Sequence, residues 1–253
     1  MSQFSKKVLA AAVLASLSGV AFAEEAKSPV AANISVTNNY VWRGFSQTAK
    51  QMALQGGFDY AHGSGFYVGF WGSNVNFGND GTGTYGDKGA QLEADVYGGY
   101  KFKAGPVDLD LGIMTYNYPG SDSALKYNFQ ELYAGIGWGP VSAKYSYAND
   151  FQGTTKDEGH YLEVNGTFEV AKVLNVIAHI GYSFGDGVKT QYSSYSNSAG
   201  GSSYIDYKVG VTKDYAGFTF GAAYTGTDVD NEEPAGKVGS AKGMPVIWVA
   251  RSF

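Results

Sequence analysis

Apolar and polar side chains alternate along most of the chain with a period of two residues, which is the pattern of β-strands with two different faces. The clearest example is residues 91–101, where Leu92, Ala94 and Val96 alternate with Glu93 and Asp95. Further stretches of this kind lie at residues 34–43, 51–60, 66–75, 107–114, 131–138, 141–147, 161–169, 174–183, 205–212, 218–225 and 244–253. The sequence therefore predicts an all-β fold of twelve strands.

The connections between these strands alternate between short and long. The short ones are residues 61–65, 102–106, 139–140, 170–173 and 213–216. The long ones are residues 76–89, 118–126, 149–159, 185–203 and 226–244, and only the first connection on that side, 44–50, is modest. Short turns at one rim and long loops at the other are typical of antiparallel transmembrane β-barrels. We therefore predict a twelve-stranded antiparallel transmembrane β-barrel.

The last predicted strand, residues 244–253, ends on Phe253. In a membrane barrel the last strand has to pair with the first, because an open edge in lipid would leave backbone groups without partners. Counting back from Phe253 in steps of two puts Arg251, Val249 and Ile247 on the lipid face. Near the rim, the Arg251 guanidinium could reach the membrane interface at little cost.

Export is predicted from the N-terminus. Lys6 and Lys7 precede an apolar run and the small-residue site Ala21-Phe22-Ala23, so we expect residues 1–23 to be a signal peptide and residues 24–253 to be an outer-membrane barrel domain. Only 16% of the residues are charged, and there is no cysteine. Without the two lysines of the leader, 16 basic residues face 23 acidic ones, a formal charge of −7, which argues against nucleic acid as a partner.

Apart from Arg251, the charged residues of the predicted strands share one parity, which we assign to the lumen because a charge facing lipid at mid-depth costs a few kcal/mol. The predicted pore-lining residues are Arg43, Glu93, Asp95, Glu131, Lys144, Glu163, Asp206 and Lys208. We expect Glu131, Lys144 and Glu163 to form one ladder of ion pairs on adjacent strands. This inward set could be a charged constriction that favours cations, or a network that merely fills a narrow barrel.

No catalytic, metal or cofactor site is predicted. His62, His160 and His179 fall on different rims and walls, too far apart for a zinc site, and no nucleophile–base motif accompanies them. The glycine-rich string at residues 81–86 lacks the strand–helix context of a dinucleotide site. The acidic residues at 228–233 lack the spacing of a calcium loop.

Three segments resemble a known family. They are residues 40–48 (YVWRGFSQT), 55–60 (QGGFDY) and 64–69 (SGFYVG), followed by Trp71. This block is similar to the TorF family of porins of Gram-negative bacteria. The resemblance covers roughly residues 33–75 and implies a single outer-membrane barrel, and it supplies no catalytic residues that could be assigned to this chain.

The pattern and the resemblance together favour an outer-membrane, porin-like channel for passive diffusion of small hydrophilic solutes, with a preference for cations. A structural or adhesive barrel with a closed lumen is the alternative. The expected partners are outer-membrane lipid, lipopolysaccharide, the diffusing solutes and the barrel assembly machinery, which would bind the C-terminal strand ending in Phe253.

Overall fold

The computed structural model describes residues 28–77, 89–123, 127–153, 156–193, 202–229 and 243–253, so the predicted signal peptide lies outside the described residues. The strands are β1 (Val30–Thr37), β2 (Val41–Trp42), β3 (Phe45–Ser46), β4 (Ala53–Ala61), β5 (Phe66–Asn74), β6 (Leu92–Ala104), β7 (Val107–Tyr116), β8 (Phe129–Trp138), β9 (Val141–Ala148), β10 (Gly159–Val170), β11 (Leu174–Phe184), β12 (Ser203–Tyr215), β13 (Phe218–Thr227) and β14 (Met244–Ser252). The helix α1 (Asp186–Ser193) follows β11, and a 3-10 turn (Phe151–Gly153) follows β9. No helix among the described residues is long and apolar enough to cross a membrane.

Twelve of these strands form one closed antiparallel barrel. Each pairs with its neighbours in chain order from β4 to β14, and β1 lies between β14 and β4. Closure depends on the two pairings of β1, in which Ile34 lies opposite Arg251 of β14 and opposite Gly56 of β4. The predicted twelve-stranded antiparallel barrel is confirmed.

The outer face of the barrel is apolar. The exposed large side chains include Leu54, Val68, Leu111, Ile113, Leu132, Ile136, Val164, Ile180, Val209 and Ile247. They come from every part of the wall, whereas a soluble monomer rarely exposes more than a few hundred Å² of contiguous apolar surface. A surface of this kind is matched to hydrocarbon rather than to water.

The first barrel strand differs from the prediction. We expected it at residues 34–43, but β1 runs from Val30 to Thr37, and residues 38–52 connect it to β4. Tyr40, Trp42 and Arg43 are therefore not in the wall. The prediction was wrong here because β2 and β3 form a separate two-stranded hairpin. Apolar and polar residues alternate in this hairpin as they do in a barrel strand, so the sequence pattern did not distinguish the two.

Flat aromatic rings line parts of the inner wall, and each covers a glycine on the neighbouring strand. Trp248 is the register partner of Gly221, and Tyr133 is the register partner of Gly112. A Cβ atom added at either glycine would overlap the aromatic ring opposite. Glycine in a strand often marks a site where another group approaches closely, and here it lets a large ring lie along the wall.

We predict that Gly221→Ala destabilises the barrel, because the new methyl group has to displace the buried Trp248 indole. Overpacking of this kind costs about 1–3 kcal/mol. The measurement is urea unfolding of protein refolded into detergent micelles, followed by tryptophan fluorescence. Gly63→Ala is the matched control, since a Cβ atom there meets nothing within 4 Å. Equal midpoints for both variants would contradict this account of the wall.

Candidate functional site

A hairpin folds from the rim into the interior of the barrel. We call residues 39–48 the inward hairpin; its β2 and β3 are joined by Arg43-Gly44, with Trp42 paired to Phe45. Both turn residues have positive φ, 45° at Arg43 and 83° at Gly44. A two-residue turn with positive φ at both positions is the type I′ turn that tight hairpins favour.

The base of the inward hairpin is fixed by polar contacts. The Ser46 hydroxyl donates to Oδ1 of Asn39 at 2.6 Å, and the backbone N–H of Tyr40 donates to Oγ1 of Thr48 at 3.1 Å. The N–H of Gln47 donates to the carbonyl of Tyr40 at 2.7 Å, which holds the two ends of the hairpin together. These bonds make the hairpin a defined element rather than a loose loop.

The tip of the inward hairpin reaches the wall opposite its own base. Its ends join β1 and β4, whereas the Arg43 guanidinium lies 4.1 Å from the ring centroid of Tyr161 on β10, which is five strands from β1 and six from β4. The Tyr204 hydroxyl of β12 donates to the carbonyl oxygen of Arg43 at 3.1 Å. At Gly44 a Cβ atom would lie 2.8 Å from Cβ of Asp206. The hairpin therefore crosses the lumen.

Aromatic rings pack around the hairpin. Trp42 contacts Tyr116, Phe129 and Phe151, with ring centroids 5.9, 6.3 and 6.3 Å apart. Phe151 belongs to the 3-10 turn at the long-loop end and packs with Val188 of α1 in one buried cluster. The hairpin is thus continuous with an apolar cap at that end of the barrel.

A buried ion pair fastens the tip. Nη2 of Arg43 lies 2.7 Å from Oε2 of Glu131 on β8, and the two side chains are 6% and 4% exposed. The Tyr116 hydroxyl donates to the same carboxylate oxygen at 3.2 Å. The guanidinium also lies 4.4 Å from the centroid of Trp42. Arg43 is consequently enclosed by one carboxylate and two aromatic faces.

A second anchor holds the base of the hairpin. The Tyr40 hydroxyl donates to Oε1 of Glu93 at 2.9 Å, and Asp95 is the next inward residue on β6. Burial raises the pKa of the Tyr40 hydroxyl, and the carboxyl groups of Glu93 and Asp95 raise it further, so this hydroxyl is a neutral donor. Neither acid forms an ion pair with a residue in the described ranges, and both oxygens of Asp95 lack a hydrogen-bond partner there.

A row of ionisable side chains follows the wall from β9 to β12. Nζ of Lys144 lies 3.2 Å from Oε1 of Glu163, its register partner. Nε2 of His179 lies 2.9 Å from Oδ1 of Asp206. Lys208 is the register partner of His179, so it belongs to the same row.

Toward the short-turn end the inner wall is polar and partly accessible. The Tyr97 hydroxyl donates to Asp59 at 2.6 Å, and the Tyr67 hydroxyl donates to Asp110 at 2.7 Å. Nζ of Lys101 lies 4.0 Å from Asp110, and its side chain is 35% exposed. The hairpin thus crosses the barrel at one level, and the inner wall beneath it is more accessible to solvent.

The structure places all eight of the predicted residues inside the barrel. The acids Glu93, Asp95, Glu131, Glu163 and Asp206 are buried. That these residues line a conducting pore stays a prediction. Arg43 reaches the interior from the hairpin and not from a strand, which corrects its predicted position.

The predicted ladder of three residues and two ion pairs is wrong in one of the two pairs. Lys144 pairs with Glu163 as expected, but Glu131 pairs with Arg43. The register explains this, because Gly135 lies opposite Lys144. Glu131 is four residues further along β8, which is about 13 Å at the rise of a strand.

Sequence reasoning missed Tyr40, Trp42, Tyr116 and Tyr161 as parts of this site. The signal for the hairpin was the Arg43-Gly44 pair between aromatic residues, which is compatible with a type I′ turn. In the described ranges, no group of three or more His, Cys, Asp or Glu side chains is arranged to hold a metal ion. The glycine-rich string at residues 81–86 lies outside them.

Comparison with known families gives one match that covers the barrel. The model of a family described as "Bacterial protein of unknown function (Gcw_chp)" matches residues 23–253. The chain belongs to the Gcw_chp family. No curated protein matches this Gcw_chp sequence. The TorF resemblance is not confirmed and stays a prediction.

Solved structures share the fold of this Gcw_chp barrel. The NanC porin has 9% sequence identity and a TM-score of 0.54, with 87% of this chain and 97% of that chain covered. The KdgM porin has 9% identity and a TM-score of 0.50, with 88% and 98% covered. At this identity the likeness concerns the architecture alone.

We predict that Arg43→Ala costs about 3 kcal/mol of unfolding free energy, because it leaves the buried Glu131 carboxylate without its ion-pair partner. Adding Glu131→Gln to this variant should recover part of the loss, since the uncompensated charge is then gone. Urea unfolding of the two single variants and the double variant completes the cycle. Additive losses would mean that the pair is not coupled.

Proposed function

We propose that this protein is an outer-membrane channel through which small hydrophilic solutes diffuse passively, with a preference for cations. One observation carries the proposal: a closed barrel has an apolar outer face and encloses ionisable side chains. Such an interior is suited to water and solutes, because charges inside a wall that faces lipid need polar surroundings. The shared fold with two porins is compatible with this function but does not establish it.

Location and partners belong to the same proposal. The chain would be exported by its signal peptide and would lie in the outer membrane among lipid and lipopolysaccharide, as the TorF-type resemblance implies. Phe253 is 70% exposed at the end of the closing strand, and its backbone N–H donates to the carbonyl of Ala32 at 2.8 Å. An accessible terminal aromatic residue suits recognition by the barrel assembly machinery before closure. We propose no enzymatic activity and no cofactor.

The inward hairpin would be the narrowest point of the channel. It crosses the lumen and meets the wall at Glu131 and Tyr161, so a solute entering from the short-turn side has to pass it. Hydrophilic solutes would move along the polar inner wall up to this level. Passage would then depend on displacement of the Arg43 tip.

Cation preference would come from the acids that have no basic partner. Arg43 neutralises Glu131, and Lys144 neutralises Glu163. Glu93 and Asp95 form no ion pair within the described part of the chain, although both are almost completely buried. Rings of carboxylates in a pore attract cations and repel anions. These two residues therefore contribute most to the expected selectivity.

A closed structural or adhesive barrel is the second candidate. The observation that favours it is the packing of the hairpin, the 3-10 turn and α1 into one apolar cap. If this cap closed the lumen permanently, the long connections at that rim would carry the function. Conductance separates the two candidates.

We predict that shortening the hairpin increases single-channel conductance. Residues 41–46 are replaced by two glycines, which suits the existing geometry because the Gln47 N–H already bonds to the Tyr40 carbonyl. Planar bilayer recordings of refolded protein should give small conductance steps for the native chain and larger steps for the variant. Trp138→Ala, at an exposed rim position, is the control for loss of an aromatic side chain. Silence of both the native chain and the shortened variant would support the closed barrel.

We predict that Glu93→Gln combined with Asp95→Asn lowers the permeability of K⁺ relative to Cl⁻. The reversal potential in a KCl gradient should move toward zero, because two buried carboxyl groups without a basic partner in the described part of the chain leave the lumen. The control is Glu169→Gln with Asp214→Asn, which removes two exposed acids near the short-turn rim. An equal shift in both double variants would attribute selectivity to overall charge rather than to this pair.

A further inference from the structure

The environment of Arg43 is that of a bound guanidinium group. Its Nη2 meets the Glu131 carboxylate at 2.7 Å, and its Cζ lies 4.1 Å from the ring centroid of Tyr161 and 4.4 Å from that of Trp42. A carboxylate at the edge of the group and aromatic rings on its faces are what a planar delocalised cation prefers. The side chain is also 6% exposed, so these contacts form in the absence of bulk water.

Most of this environment belongs to the barrel and not to the hairpin. Glu131 lies on β8, Tyr116 on β7 and Tyr161 on β10, and the strands fix all three. The Tyr116 hydroxyl donates to Glu131 and orients the carboxylate toward the lumen. Only Trp42 moves with the hairpin. The wall would therefore keep a carboxylate and an aromatic face if the tip withdrew.

We propose that Glu131, Tyr116 and Tyr161 form a binding site for solutes that carry a guanidinium or primary ammonium group, and that Arg43 occupies this site as an internal competitor. The inference rests on the proposed function only in that solutes have to reach the lumen. It names the class of solute that the channel would favour. A solute of this class would take the place of Arg43 and release the tip of the hairpin.

The chemistry of the site favours organic cations over inorganic ones. A metal cation needs several oxygen ligands, whereas this site offers one carboxylate and aromatic faces. Glu131 is buried, so loss of Arg43 would leave a negative charge that a replacement cation can compensate. A guanidinium ion restores both the hydrogen bond and the stacking.

Because Arg43 competes for the site, ligand binding has to be compared with and without the Arg43 side chain. A group tethered by a short segment acts at an effective concentration on the order of millimolar, so a free ligand must exceed this to displace it. Removing the Arg43 side chain removes the competitor. Methylguanidinium should then bind at concentrations at which the native chain shows no saturation.

The experiment is titration of refolded Arg43→Ala with methylguanidinium chloride at constant ionic strength, followed by isothermal calorimetry and tryptophan fluorescence. We expect saturable binding at least about tenfold tighter than to the native chain, since the tethered competitor is absent. Arg43→Gly is the second variant in case Arg43→Ala folds poorly, because glycine adopts the φ of 45° at this position without strain.

Two controls define the site. Arg43→Ala with Glu131→Gln should lose the binding, because the carboxylate is replaced by an uncharged amide. Arg43→Lys should bind no methylguanidinium at these concentrations, because its own ammonium group occupies the site. Saturation that persists in the Glu131→Gln background, or equal responses to KCl and methylguanidinium chloride, would overturn the proposal.

Conductance of the same variants separates this inference from the proposed function. Saturable binding without any conductance would support the site and contradict the channel. Conductance in Arg43→Ala that methylguanidinium neither blocks nor alters, together with no calorimetric binding, would support the channel and overturn the site.

Discussion

The pairing of β1 with β14 is the constraint on which the rest of the structure depends. With this pairing every barrel strand has two neighbours, and the backbone N–H and C=O groups of the wall are satisfied without water. Only a wall without an edge can carry Ile, Leu and Val outward on all sides. The polar residues at alternate positions of each strand therefore face the interior of the barrel.

A barrel of twelve strands encloses more space than the side chains of its own wall fill at the hairpin level. An eight-stranded barrel is about as wide as its inward side chains can fill. Here part of the additional space is taken by an inserted hairpin, and part of the wall is lined by rings such as Trp248 that lie flat over glycines. Because the rings lie flat, they leave space in the lumen beside the wall. The inserted hairpin fills space in the lumen at one level, so the rings widen the lumen and the hairpin narrows it.

The hairpin and the wall depend on each other electrostatically. The buried Glu131 carboxylate forms its ion pair with Arg43, which lies at the tip of the inward hairpin and reaches Glu131 across the lumen. Withdrawal of the tip leaves that carboxylate uncompensated unless another cation replaces Arg43. The architecture shared with the NanC and KdgM porins says nothing about such contacts, because function depends on particular side chains in a common fold.

The sequence by itself determined the barrel, its strand number and the side on which the charges lie. Period-two alternation is a local property, since each residue of a strand faces in or out according to its own position. Alternating connection lengths and the apolar strand ending in Phe253 added closure. For the same reason the inward acids, from Glu93 on β6 to Asp206 on β12, could be identified without coordinates.

Only the tertiary structure decided which of these charges meet and what crosses the lumen. Residues 39–48 alternate like a strand, yet the Arg43-Gly44 turn sends them inward, because their aromatic side chains find partners inside the barrel. Glu131 pairs with Arg43 rather than Lys144 because strand register and a long-range contact set those distances. Alternation predicts whether a side chain faces the lumen or the lipid. Its position along the barrel axis and its partner across the lumen depend on how distant segments pack.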